Sequence, residues 1–284
     1  MSKVYDSIVI SGGALKGIAI LGCLQCMVDQ NKLQSVQKFI ATSVGAIISY
    51  LLCIGYTPIE IMVDLCKNDW IEKMANFDIL KAVQGCGAIS FSTVTEMLER
   101  MTIEKIGKFI TLGELYAKYG KQLICCTYNY TKQEQEFVNP EDNPDLPCIV
   151  ALRMTSTLPI LFEPFLYDSS YYIDGAVLCN FPLYKIDLEK DVAIGIKMKK
   201  ITKRENLEYR GKNFVNFLYD LLLIPALAYE ELLNKQHEDS CDIIEIDLGD
   251  FSGLNFHTSK NDRLELFSTG YNIAKLYFEH DISN

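Results

Sequence analysis

The sequence has no apolar run near the ~18–20 residues that cross a bilayer. Its longest apolar stretches, 46–55 and 221–229, are interrupted by Ser49 and Pro225. No membrane-spanning helix is therefore expected. Basic residues are in deficit: 27 Lys and Arg stand against 37 Asp and Glu, a formal charge of −10. This balance excludes a chain that coats nucleic acid by bulk charge, and it disfavours polybasic docking on an anionic membrane. Histidine is scarce, with only His237, His257 and His280. No metal set assembles around them. Cys23 and Cys26 form a CxxC, but inside an apolar helical run, with no second CxxC or nearby His to complete a zinc site. The opening MSKVYDS lacks the apolar core of a signal peptide, so cytoplasmic placement is expected. The ten cysteines then read as buried reduced thiols rather than a disulfide framework. Neither metal nor cofactor is expected.

What is present is an ordinary globular mixture, 49% hydrophobic and 23% charged over 284 residues. Strand and helix signals alternate. Tyr5–Ile10 reads as a buried strand and Ala14–Gln30 as an apolar helix. Gln37–Ala41 and Val44–Ile54 repeat the pair. Thr57-Pro58-Ile59-Glu60 spells a helix start: N-cap, proline at the first helical position, glutamate at the third. Thr93 with Glu96, and Thr111 with Glu114, show the same capping-box spacing, and Gly120 fits a left-handed C-cap. Gln122–Tyr128 and Gln135–Val138 read as a hairpin, followed by a turn-rich loop, Asn139–Pro147. Further strands are expected at Tyr171–Ile173, Asp191–Met198 and Cys241–Leu248. Helices are expected at Asn213–Asn234, with a kink at Pro225, and at Asp262–Glu279. This order predicts an α/β fold with a mainly parallel sheet covered on both faces.

Three segments carry chemistry. Ser11-Gly12-Gly13-Ala14-Leu15-Lys16-Gly17 follows the first strand. Glycines between a strand and a helix bare backbone N–H groups that hold a phosphate or an oxyanion. It spells neither a P-loop nor GxGxxG, and taken alone it equally fits a tight turn without a ligand. Ala41-Thr42-Ser43-Val44-Gly45 has the form of a nucleophile elbow, GxSxG, with alanine for the first glycine. The alternative is that Ser43 merely caps the following helix. Tyr171-Tyr172-Ile173-Asp174-Gly175-Ala176 presents an acid at a strand end, or makes an ordinary Asp-Gly turn. A Ser-His-Asp triad must borrow one of the three late histidines; a Ser-Asp pair needs none.

Together, SGGALKG, ATSVG and DGA, in this order, resemble the patatin-like phospholipase family, with its GGGx(R/K)G loop, GxSxG elbow and DG(G/A) aspartate. TLGELYAKYGKQLICCTY, PDLPCIVALRMTSTLPILFEPF and DGAVLCNFPL resemble the flanking segments. The similarity runs from about Tyr5 to Met198, with 199–284 completing a single domain of 1–284. It implies a three-layer α/β/α fold and a lipid acyl hydrolase of the phospholipase A or lysophospholipase type. It further implies Ser43 as nucleophile and Asp174 as general base. Gly12, Gly13 and Ala14 would supply the oxyanion-hole amides, with Lys16 supporting the loop. Ala14 departs from the third loop glycine and Ala41 from the first elbow glycine. A positive φ at position 14 would strain alanine by ~1 kcal/mol. A non-catalytic lipid-binding protein and an acyltransferase are the alternatives on the same fold.

The partner implied is a phospholipid or another acyl lipid, with peripheral membrane contact and room for an activating protein, and no nucleic acid. Candidate apolar surfaces are Trp70, Ile71, Met74, Phe77, Ile79 and Leu80, and the helix around 214–224. Ordinary core packing is the alternative for both.

Overall fold

Ser7-Ile8-Val9-Ile10 is buried at every position, which a strand achieves only when neighbours cover both faces and both edges. In the computed structural model this strand, β1 (Ser7–Ile10), is central. Residues 3–75, 78, 80–81, 84, 87–199 and 214–281 are described, side chains at 214–216, 219, 220 and 281 excepted. β1 pairs in parallel with β2 (Lys38–Thr42) on one side and β7 (Ala193–Met198) on the other. β3 (Gln122–Asn129) continues in parallel beyond β2, and β8 (Asp242–Ile246) beyond β7. Three strands are antiparallel: β4 (Glu134–Val138) and β6 (Ser170–Asp174) on β3, and β5 (Phe165–Tyr167) on β6. The order is β5-β6-β3-β2-β1-β7-β8, with β4 also on β3.

Successive side chains of β1 point to opposite faces. Ile8 and Ile10 join the large core beneath α1 (Gly17–Asp29) and α2 (Val44–Cys53). Val9 joins a smaller cluster with Ile40, Phe181 and Leu183 on the other face. α9 (Lys260–Asp281) packs on α1, and α8 (Phe214–Glu238) packs on the turn at Leu183–Lys185. The result is the expected three-layer α/β/α arrangement with a mainly parallel sheet.

The lane beside β3 fixes the geometry that matters. β4 occupies one edge of β3 from Cys125 to Asn129. The opposite edge is shared: β2 runs along it to Thr42, opposite Cys126, and β6 arrives from the other direction to end at Asp174, opposite Thr127. Two strands thus meet end to end on adjacent residues of a third. The residue after Thr42 is Ser43, so the register of the sheet brings Ser43 to Asp174.

Local signals are largely realised. Thr57 and Thr111 form capping boxes with Glu60 and Glu114 at the starts of α3 (Pro58–Lys67) and α6 (Leu112–Tyr119), and Gly120 is left-handed at φ 63°. The third box does not form. The helix α5 (Ser92–Ile106) starts one residue before Thr93, with Phe91 as an N-cap lacking a side-chain bond. Burial of Phe91 in the core sets that start rather than Thr93. Trp70, at the start of α4 (Trp70–Met74), is no surface anchor. It is buried, bonds Asp64 Oδ2 through Nε1 at 3.2 Å, and lies under the cations of Lys73 and Arg100. Ile71 is also buried, whereas Leu80 is exposed. Phe77, Ile79, Asn213 and the side chain of Phe214 lie outside the described residues. Pro225 is inside α8.

Candidate active site

Strand β2 ends in extended backbone at Thr42, and the chain then reverses into α2 within one residue. Ser43 carries the whole turn, at φ 54° and ψ −130°. A non-glycine residue there costs ~1–3 kcal/mol, and such strain persists only where surroundings over-determine it. They do: Ser43 N–H donates to Thr155 Oγ1 at 3.0 Å, and the Ser43 carbonyl accepts from Ala46 and Ile47. Gly45 permits the turn, because a Cβ there would lie 2.6 Å from the Ser11 carbonyl oxygen and 2.7 Å from that of Ile10. Ala41, by contrast, sits in regular strand, paired with Cys125, so its methyl is harmless. Ser43 holds the N-cap position of α2 but makes no side-chain cap bond. Its hydroxyl is therefore left to the pocket, which it lines. The positive end of α2 lies beside it.

Asp174 is 1% exposed. Its Oδ1 accepts from Ala176 N–H at 2.8 Å, while its Oδ2 is buried without a well-formed partner. Burial pushes its pKa up to about 7; the Ser43 hydroxyl and the Ala176 amide lower it only in part. The serine hydroxyl thus lies near enough to the carboxyl to favour its charged form. A carboxyl near pH 7 is a competent proton acceptor, unlike a solvated one.

The glycine loop faces both residues. Gly13 and Ala14 line the pocket, and neither amide has a hydrogen-bond partner among the described residues. Ala14 takes φ 48°, so alanine here is in the left-handed region, as the family departure foreshadowed. Gly12 behaves differently from its neighbours. Its N–H donates to Asn180 Oδ1 at 3.0 Å, and Asn180 Nδ2 donates back to the Gly12 carbonyl at 3.3 Å. A Cβ on Gly12 would lie 2.5 Å from Asn180 Oδ1 and 2.9 Å from Ser43 Cβ. The Gly12 amide is thus engaged by Asn180, while the Gly13 and Ala14 amides are open. Lys16 closes the turn, donating its N–H to the Gly13 carbonyl at 3.0 Å.

Asn180 was legible only as part of a turn. It is held in place by Glu230 of α8, whose Oε2 accepts from the backbone N–H groups of Asn180 at 2.6 Å and Phe181 at 2.7 Å. Thr155, which fixes the Ser43 amide, is a second residue without a sequence signal of its own. It comes from α7 (Cys148–Ser156), the helix before the aspartate.

From this polar end a cavity of about 140 Å³ runs between the helices, lined by Ile48, Leu51, Leu65, Trp70, Met97 and Met101, among others. A cavity with apolar walls of that size suits an apolar ligand. No histidine lines it. No group of His, Cys, Asp or Glu able to hold a metal ion occurs among the described residues.

The patatin-like phospholipase family model matches residues 8–185. A protein named probable lipid hydrolase 463L, of Invertebrate iridescent virus 6, is 34% identical over 210 residues, covering 72% of this chain and 68% of that protein. VipD from Legionella pneumophila shares the fold at a TM-score of 0.60 and 16% identity, over 98% of this chain and 67% of VipD. ExoU, in its complex with SpcU from the type III secretion system of Pseudomonas aeruginosa, gives 0.57 at 15% identity, over 99% of this chain and 52% of that one. The chain thus spans about half the length of ExoU. The family match contains the glycine loop, the strained serine and the buried aspartate, and on it the chain belongs to the patatin-like phospholipase family.

Proposed function

We propose that the chain is a lipid acyl hydrolase of the phospholipase A or lysophospholipase type, working through a Ser43–Asp174 dyad. The observation that carries this is the buried Oδ2 of Asp174, without a well-formed partner, in one pocket with an uncapped serine. The name of the viral relative, a lipid hydrolase, supports the same class. The uncapped hydroxyl and the strain at Ser43 weigh against a non-catalytic scaffold.

In this reading Asp174 takes the Ser43 proton as Oγ attacks the ester carbonyl carbon. The carbonyl oxygen becomes an oxyanion held by the Gly13 and Ala14 amides. Collapse breaks the ester bond, and the departing alcohol or lysolipid takes the proton from Asp174. Water then gives a proton to Asp174 and attacks the acyl-serine. The fatty acid leaves, and Ser43 Oγ recovers the proton. Gly12 and Lys16 shape the loop, and the apolar cavity takes the acyl chain. The domain extends over 1–284, since β8 and α9 complete the sheet and its helical cover. The enzyme works in the cytoplasm and reaches lipid peripherally; ExoU with SpcU is the precedent for a protein partner.

A fluorophosphonate probe tests the reading. Wild type should label, Ser43→Ala should not, and Asp174→Asn should label at least ~100-fold more slowly, the scale of a lost general base. Equal labelling of wild type and Ser43→Ala would sink it.

A further inference from the structure

A second cavity, of about 480 Å³, shares Phe91 and Thr93 with the catalytic pocket. Unlike the first, it is polar. Arg153 lines it, half-buried, with Lys73, Lys81, Asp78 and Glu163 exposed at its rim. Arg153 is the unexplained group. Its guanidinium lies 4.4 Å from the Phe165 ring centroid and 5.5 Å from that of Phe91. Its Nε is buried and has no hydrogen-bond partner, and no carboxylate forms an ion pair with it among the described residues. Burial works against its charge, and Glu163 offsets this only from a distance. Compare Arg263, fully buried, which bonds Glu72, Leu65 and Thr258. With two rings against it, its Nε unpaired and no carboxylate beside it, this guanidinium has its fork left for an anion, and that fork fits phosphate.

A second group points the same way. Ser156 is three residues on from Arg153, hence on the same face of α7. It lines the catalytic pocket, is 5% exposed, and its Oγ has no partner. Two unsatisfied polar groups therefore flank the wall between an apolar cavity holding the serine and a polar one. An ester with an acyl chain on one side and a charged polar group on the other matches this division.

We propose that Arg153 forms an anion subsite for the phosphodiester of a phospholipid whose acyl ester lies at Ser43, with Ser156 bonding the glycerol between them. The subsite rests on the reading of Ser43 as nucleophile. Among the described residues lining it, three cations against two carboxylates suit a singly charged phosphodiester better than a doubly charged free phosphate. The site sets a preference for phospholipids over acylglycerols that lack phosphate.

The test is binding, read without turnover. Trp70, the single tryptophan, lines the catalytic pocket and reports its filling by fluorescence. A short-chain dialkyl-ether phosphocholine, which has no ester to cleave, is titrated below its micellar concentration beside the matching dialkylglycerol. Wild type should bind the phosphocholine at least ~10-fold more tightly. Arg153→Met should bring that ratio to about one, and Arg153→Lys should keep part of it. A wild-type ratio near one overturns the subsite whether or not the methionine variant folds. An unchanged ratio in a folded Arg153→Met does the same. Inorganic phosphate that displaces the analogue at the analogue's own concentration would make this a free-phosphate site and overturn the headgroup assignment. Probe labelling of Ser43 with a ratio near one leaves the dyad standing and removes the subsite; a 10-fold ratio without labelling does the reverse.

Discussion

Ser43 and Asp174 are both held at an energetic disadvantage. Ser43 is at positive φ, and Asp174 is buried with one oxygen unsatisfied. For the carboxyl the consequence is a dependence on pH with a definite sign. Its folded pKa, about 7, lies above the ordinary 3.8. Between these values the folded chain binds more protons than the unfolded one, so stability falls as pH rises through that window and levels off above it. The penalty at high pH is on the order of 4 kcal/mol at most. Asp174→Asn should therefore melt higher than wild type at pH 8, and the gap should close toward pH 4. With the proposed dyad, activity runs the other way, since only the ionised form would accept the serine proton. The kcat/KM of wild type on a neutral ester should rise with pH and level off above an apparent pKa near 7. A plateau already reached at pH 5, or an Asp174→Asn variant less stable than wild type at pH 8, would contradict this account of the carboxyl.

Helix α8 lies beyond the family match at 8–185, yet it reaches the catalytic loop through a short relay. Glu230 bonds the Asn180 and Phe181 amides, Asn180 bonds Gly12, and Gly12 lies against Ser43. Removing the carboxylate orphans the buried Phe181 amide and the part-buried Asn180 amide, at ~1–3 kcal/mol each, and frees Asn180 to shift. Glu230→Ala should lower stability by ~2–4 kcal/mol and slow probe labelling ~10-fold at a temperature where it is still folded, with Glu230→Gln between the two. A loss of stability with labelling unchanged would make the helix mere packing. None of this was legible. Asn180 and Glu230 are 50 residues apart, and nothing in a glutamate on an amphipathic helix names its partner. What could be read was local or carried by motif: the capping boxes at Thr57 and Thr111, the strands at β1 and β3, and the serine and aspartate at strand ends. The short strand β5 went unread, because three residues show no period. For Trp70 the sequence left core packing and an apolar surface both open, and its burial and hydrogen bond to Asp64 place it in the core. The shared edge of β3, which brings the two strand ends together, is a tertiary fact.

The molecule as a whole divides its sheet between two tasks. The parallel strands end at the loop and the serine, the usual site at the carboxyl ends of strands. The helices above do not close over them fully, and the space left is the apolar cavity. Its depth can be read along α2. Ser43 is at the mouth, and Leu51, eight residues on, also lines the wall, so the cavity extends ~12 Å at 1.5 Å per residue. A short acyl chain ends well before Leu51, whereas a long one must pass it. Leu51→Trp adds volume at that depth and leaves the polar end untouched, at a packing cost of ~1–3 kcal/mol. On a series of p-nitrophenyl esters, the butyrate should lose no more than ~3-fold in kcat/KM, and the palmitate should lose at least ~10-fold, which is ~1.4 kcal/mol or more of its transition-state binding. Equal losses across the series would mean the chain does not enter along α2. The acyl group would then lie over the surface, and the cavity would be core space that the packing fails to fill.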